Sequence, residues 1–256
     1  DSIPAFGFRK YLIITGTEAS PEKAPANISK VTKAENPWYA LQVDTARAAI
    51  SSLLDKALGR EIIDRNAPWQ AGEFIYETLD NRSQLEAFKL DNYHREPLES
   101  IHFEGFREGE IWNTFAFRGS TPAAIENGEY RMEIRIFKTS KRIDLVYSIE
   151  KKMVTEPEGI YIAFPFQLEG GQLAFDVPGG EIRAGMDQIP GSANDWNTVQ
   201  SYARLYNEQG QILLSSPEIP LMQFGGINTG RYKAGATPAS THLYGWPMNN
   251  YWTTNF

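Results

Sequence analysis

The sequence predicts an all-β protein, an antiparallel sandwich or barrel. Strand-like runs recur about every 10–15 residues with turn chemistry between them, the spacing of an all-β domain. Two runs, 129–136 and 143–149, place an apolar residue at every second position, as strands with one buried and one wet face do. Helical periodicity is nearly absent, which excludes a βαβ architecture.

Taken in order, residues 8–14 (Phe-Arg-Lys-Tyr-Leu-Ile-Ile) read as a strand. Residues 16–36 are rich in Ala, Pro, Lys and Glu without apolar period, the composition of a linker or long connection. From Trp38 the pattern is β. Residues 41–43 and 48–54 suit two paired strands, 55–60 a turn, and 61–64 and 73–79 two further strands. The run from Ser83 to Leu90 is a short helical candidate, with Ser83 and Glu86 spaced as a capping box. Residues 101–106 and 111–117 flank Arg107-Glu108-Gly109-Glu110, a hairpin signature. Asn127-Gly128 supplies a turn before Glu129–Ile136, where Tyr130, Met132, Ile134 and Ile136 form one face. Ile143, Leu145, Tyr147 and Ile149 repeat the alternation, so the two runs pair. Strands at 161–166, 172–177, 181–184, 199–206 and 211–215 follow, the last two around Asn207-Glu208-Gln209-Gly210. Residues 225–256 differ in character, being rich in Gly, Asn, Thr, Tyr and Trp.

Composition narrows the function. With 256 residues, 41% of them hydrophobic, the chain can build one large β-domain. A net charge of −7 and the lack of any basic run beyond a pair such as Lys141-Arg142 argue against a general nucleic-acid binder. There is no cysteine, so disulfides, thiolate catalysis and Cys-based zinc sites are excluded. No apolar stretch approaches the roughly 20 residues of a membrane span. The compartment stays open, with a periplasmic or extracellular setting favoured over the cytoplasm.

Three histidines, His94, His102 and His242, are spaced too irregularly for a compact zinc motif. His102 and Glu104 share a strand face, the arrangement a sugar epimerase or lyase of the mutarotase kind needs for acid/base work. Asp187, Gln188, Asp195 and Trp196 lie in a Gly/Pro/Asn-rich loop beside a strand. Amides and carboxylates there suit sugar hydroxyls and an indole suits sugar C–H faces, while the commoner role of Asp187 and Asp195 in such a loop is to cap turns. Asn249 and Asn250 lie beside Trp252 in a run of four aromatics, which reads either as core or interdomain packing or as a sugar platform.

Several motifs together resemble family 38 of the glycoside hydrolases, the α-mannosidases. They are residues 50–56 with 59–64, Tyr161 to Phe166, Asp195 to Gln200 with Pro220 and Gln223 to Gly225, and Met248 to Phe256. Their order matches the family's C-terminal β-region. The resemblance implies a galactose-mutarotase-like antiparallel supersandwich over residues 37–256, with few short helices. Residues 1–15 would end a preceding small β-domain, and 16–36 would link the two. The resemblance also implies that the sandwich continues past Phe256, and that zinc and the nucleophile belong to an N-terminal catalytic domain, so no metal ligand or nucleophile is assigned here. The expected role is an accessory domain supporting a cleft for a mannose-containing glycan, with Asp187, Gln188, Asp195, Trp196, Asn249 and Asn250 as rim candidates. The alternatives are a stand-alone carbohydrate-binding module, with exposed coplanar Trp rings, or a mutarotase-like epimerase or lyase.

Overall fold

A computed structural model describes residues 28–230 and 237–252, with Gly7, Phe8, Lys10 and Leu12. The strand expected at 8–14 and most of the connection expected at 16–36 fall outside these residues.

The first elements are β1 (Ile28–Ser29), β2 (Lys33–Glu35), β3 (Tyr39–Asp44), β4 (Ala49–Asp55), β5 (Arg60–Glu61) and β6 (Phe74–Leu79), followed by helix α1 (Ser83–Glu86). Then come β7 (Tyr93–Glu96), β8 (Glu99–Arg107), β9 (Trp112–Ser120), β10 (Tyr130–Phe137), β11 (Ile143–Ile149) and β12 (Glu158–Phe164). The last are β13 (Gln172–Val177), β14 (Gly180–Arg183), β15 (Asn197–Thr198), β16 (Tyr202–Tyr206), β17 (Gln211–Ser215), β18 (Leu221–Phe224) and β19 (Leu243–Asn249). They form four sheets, in the orders β1-β8-β9-β10-β11, β15-β18-β19-β12-β6-β7, β14-β13-β16-β17 and β2-β3-β4-β5. Every named pairing is antiparallel. One large core takes residues from all four sheets, so the sheets stack as a supersandwich.

The six-stranded sheet is buried on both faces. Phe74, Tyr76, Ile160, Ile162, Phe164, Met222 and Leu243 point into the large core. Their neighbours Ile75, Leu79, Tyr161, Ala163, Tyr244 and Trp246 point into a second core on the opposite face. This is why β12 is buried at all seven positions rather than at alternate ones. Each large apolar side chain so buried contributes roughly 1.5–3 kcal/mol.

Leu85, Leu90, Ile227 and Tyr251 close the second core from outside the sheet. It also holds a polar network. Glu77, fully buried, pairs with Arg95 and accepts hydrogen bonds from Tyr251 Oη (2.5 Å) and Tyr161 Oη (3.3 Å). Tyr161 Oη also meets Thr229 Oγ1 at 3.0 Å, and Gln223 Nε2 donates to Thr229 Oγ1 at 2.5 Å. Burial, first of all, and the neighbouring Glu77 push both phenols well above the usual tyrosine range. A carboxylate in such a place is tolerable only because every contact donates to it.

Several local expectations change. The helix is four residues long, not eight, and Ser83 does not cap it: its hydroxyl donates to Asn81 Oδ1 at 2.6 Å. Phe88, at φ +50°, cannot continue an α-helix. Instead, Gln84 ties the excursion shut through Asn92 O, Asp91 N and Asn92 N. Residues 28–35, inside the expected connection, carry two edge strands, whose backbone pairing requires no apolar period. The strand expected at 199–206 begins only at Tyr202, as β16, and residues 199–201 break it from β15. Asp176 makes the break, accepting from Ser201 N at 2.8 Å and Tyr202 N at 3.0 Å. β19 runs through the aromatic stretch, with a bulge where Trp246 and Pro247 face only Tyr161. Proline has no N–H to give the ladder, and a bulge asks for none.

Gly159 in β12 is where backbone approaches this network most closely. A Cβ there would lie 2.7 Å from Tyr251 Cζ and nearer still to its hydroxyl. Gly159→Ala is therefore expected to destabilise the fold by about 1–3 kcal/mol, the usual cost of overpacking, read as a lower urea midpoint at unchanged slope. An unchanged midpoint would mean that Tyr251 does not dock against β12.

Candidate functional site

The loop between β14 and β15 turns tightly around Arg183 and Asp187. Asp187 accepts from Arg183 N (2.8 Å) and binds its guanidinium through both oxygens. That guanidinium holds the Asp187 carboxyl at about 2, below the ordinary 3.8. Asp187 is thus committed to clamping its own loop.

The next residues build a pocket of about 280 Å³. Its polar wall comes from Gln188, Asn194, Asp195, Asn197, Asn228 and Thr237, and its apolar side includes Phe224, Pro238 and Ala239. Asn197 is seated by β15, whose ladder pairs it with Met222 in β18. Gln188 joins loop to strand, taking Gly185 N–H on Oε1 at 2.8 Å and giving Nε2 to Asn197 Oδ1 at 2.7 Å. Asn228 enters from the far side, its N–H donating to Gln223 Oε1 at 2.5 Å. The pocket wall is thereby braced by the buried network behind the sheet.

Asp195 is 4% exposed. Burial raises its carboxyl above the ordinary 3.8, and hydrogen bonds from the backbone N–H groups of Asp195 and Trp196 only partly offset this. Among the described residues, no Lys, Arg or His lines the pocket. Chemically the site offers amide donors and acceptors, one carboxylate and an apolar side.

The six sequence candidates separate. Gln188 and Asp195 meet in this pocket. Trp196, between Asp195 and Asn197, goes the other way and packs against Trp246 (5.8 Å, 62°) and Trp252 (5.0 Å, 46°). These rings are inclined to one another and do not form the coplanar platform of a binding module. Asn249 lines a second pocket of about 250 Å³ with Lys151, Glu158 and Met248. It sits four to six residues along β19 from the level of the first pocket, about 13–20 Å at 3.3 Å per residue. Asn250 lines neither pocket and holds the 154–156 loop through Val154 O (2.6 Å) and Glu156 O (3.2 Å).

The histidines stay apart. His102 is exposed, and its strand neighbour Glu104 is engaged by Arg118. His242 meets Asp64 at 3.1 Å and His94 meets Asp80 at 3.5 Å. Among the described residues, no group of three His, Asp or Glu side chains is placed to hold a metal, so these residues do not fit a zinc ion. No helix among them is long and apolar enough to cross a membrane. Asn197 and Asn228 were not among the sequence candidates. Asn197 lay inside the same loop motif; Asn228 follows the Gln223-Phe224-Gly225 motif by three positions.

Fold and pocket together define an all-β antiparallel domain with a polar pocket at one sheet edge. Residues 34–215 match the C-terminal domain of glycosyl hydrolases family 38, and the chain belongs to that family. A family 38 glycosyl hydrolase structure from Enterococcus faecalis is similar, with 10% identity and a TM-score of 0.57. The match covers 93% of this chain and 28% of that one. An alpha-mannosidase from Enterococcus faecalis V583 matches with 10% identity and a TM-score of 0.53, over 86% of this chain and 29% of that one. A galactose mutarotase-like protein from Lactobacillus casei aligns with 14% identity and a TM-score of 0.44, over 84% and 86% of the two chains. No curated protein matches the chain. The chain thus spans under a third of the family 38 structures it resembles.

Asp195 has a sign that can be tested. Its folded pKa is raised, so folding favours the protonated form. The residue costs stability at neutral pH, and the cost fades as pH falls through the raised value toward 3.8. Asp195→Asn is expected to melt at or above the wild-type temperature at pH 7, with the difference shrinking at acid pH. A clear loss of stability at pH 7 would show that the carboxylate is a structural partner.

Proposed function

We propose that this chain is the accessory C-terminal domain of an α-mannosidase-like glycoside hydrolase, and that its Asp195 pocket forms part of a cleft for a mannose-containing glycan. Family membership supports the first half of this reading. One observation carries the second: Asp195, 4% exposed, places its carboxylate in a pocket whose described lining has amides and no cation. A neutral polyhydroxyl ligand fits such a lining, because hydroxyls bond both amides and carboxylates and bring no charge to be neutralised.

In this reading the catalytic domain is the partner, joined in the same polypeptide, and zinc belongs there. The described part of this chain supplies no nucleophile or metal; it supports and orients the glycan. The purified chain is expected to release no nitrophenol from nitrophenyl α-mannoside with zinc present, and zinc-dependent release would overturn the assignment.

Binding gives the positive test. Titration calorimetry with methyl α-mannoside is expected to show affinity that Asp195→Asn lowers about 10–100-fold, the worth of a hydrogen bond to a charged group. Asn249→Ala is expected to leave it unchanged. Affinity should also fall on acidification, at a pH above the ordinary aspartate value of 3.8, because a protonated Asp195 offers a weaker acceptor. Equal affinity for wild type and Asp195→Asn would remove this pocket from the cleft.

A further inference from the structure

The orientation of the amides around the pocket is set by the backbone. An N–H can only donate, so the Gln188 atom 2.8 Å from Gly185 N is Oε1. Gln188 Nε2 is then the atom facing Asn197, and the Asn197 atom it reaches at 2.7 Å is Oδ1. With Oδ1 engaged, Asn197 has its Nδ2 amide to offer the pocket it lines. Asn228 is set in the opposite sense. Its Nδ2 donates to Phe224 O at 3.1 Å, leaving Oδ1 as its side-chain acceptor. Gln223, fully buried, locks that turn by accepting from the N–H groups of both Asn228 (2.5 Å) and Thr229 (3.2 Å). The pocket therefore has a built polarity: a donor at Asn197, and acceptors at Asn228 and Asp195.

We propose that Gln188 is a positioning residue that fixes this polarity, and that the ligand so selected is an adjacent pair of hydroxyls on a neutral sugar. The inference rests on the reading of the pocket as a carbohydrate site. A hydroxyl both donates and accepts, so two neighbouring ones can take the Asn197 amide hydrogen and give theirs to Asp195. A phosphate or carboxylate only accepts, and would meet the Asp195 carboxylate with no cation in the described lining to offset it. Gln188 need not touch the sugar; it acts by holding Asn197.

The test is Gln188→Glu in the intact chain. The carboxylate this introduces keeps an acceptor for Gly185 N–H but has no hydrogen for Asn197. Asn197 then turns over, giving Nδ2 to that carboxylate and Oδ1 to the pocket. In the free protein, nuclear magnetic resonance should show the Asn197 side-chain amide hydrogens passing from open to protected against exchange. Affinity for methyl α-mannoside should fall about tenfold. Unchanged exchange at Asn197 overturns the relay, whatever happens to binding. A reversed Asn197 with wild-type affinity overturns the hydroxyl-pair selection but not the pocket reading, which Asp195→Asn tests separately. Should Gln188→Glu fail to fold, Asn197→Asp keeps the Gln188 bond and replaces the donor with a carboxylate. The same loss is expected there, and wild-type affinity would overturn the inference.

Discussion

The ion pair between Glu77 and Arg95, locked by the hydroxyls of Tyr161 and Tyr251, is the constraint on which the rest of the molecule depends. It lies on the second face of the six-stranded sheet, where an exposed strand face would otherwise meet solvent. Closing that face recruits the 80–92 excursion, the loop around Ile227 and the segment at Tyr251. A buried carboxylate stripped of one partner costs several kilocalories per mole, so these segments are held together rather than merely laid on the sheet. Tyr251 in turn makes β12 carry glycine at position 159.

This closure also decides where a ligand can go. The face of the sheet is filled by Tyr161, Tyr244 and Trp246 and capped by Leu85 and Leu90. The Asp195 pocket lies instead at the β15–β18 edge, between two loops. Yet it is not independent of the sealed network. Gln223 reaches Thr229 within that network and Asn228 at the pocket wall, so one buried amide links the two.

Sequence alternation made the β10–β11 pair legible because one face is wet: Tyr130, Met132, Ile134 and Ile136 are at most 1% exposed while Arg131 and Arg135 face out. Alternation does not mark β12, which is buried on both sides and spans 158–164 rather than the expected 161–166, or β19, whose bulge at Trp246 and Pro247 breaks the period. The break between β15 and β16 depends on Asp176, more than twenty residues away in sequence, so no local pattern announces it. At the site, composition singled out the loop carrying Gln188 and Asp195, and both line the same pocket. It could not separate Asp195 and Asn197 from Trp196, which packs instead against Trp246 and Trp252. Nor could it see that Asp187 is consumed by Arg183, or that Asn250 is consumed by the 154–156 loop. Asn228 comes from a different strand connection, and only the fold brings it there.

A rigid, doubly covered sheet carries the polar pocket on its edge, and hydrogen exchange of the native chain with and without methyl α-mannoside tests the proposed joining of the two most directly. Amides of β12 are predicted to exchange only through global unfolding, unaffected by the sugar. Amides at 185–197 and 227–229 are predicted to slow when the sugar is added. Protection appearing around Asn249 instead, or β12 exchanging as freely as a sheet edge, would contradict it.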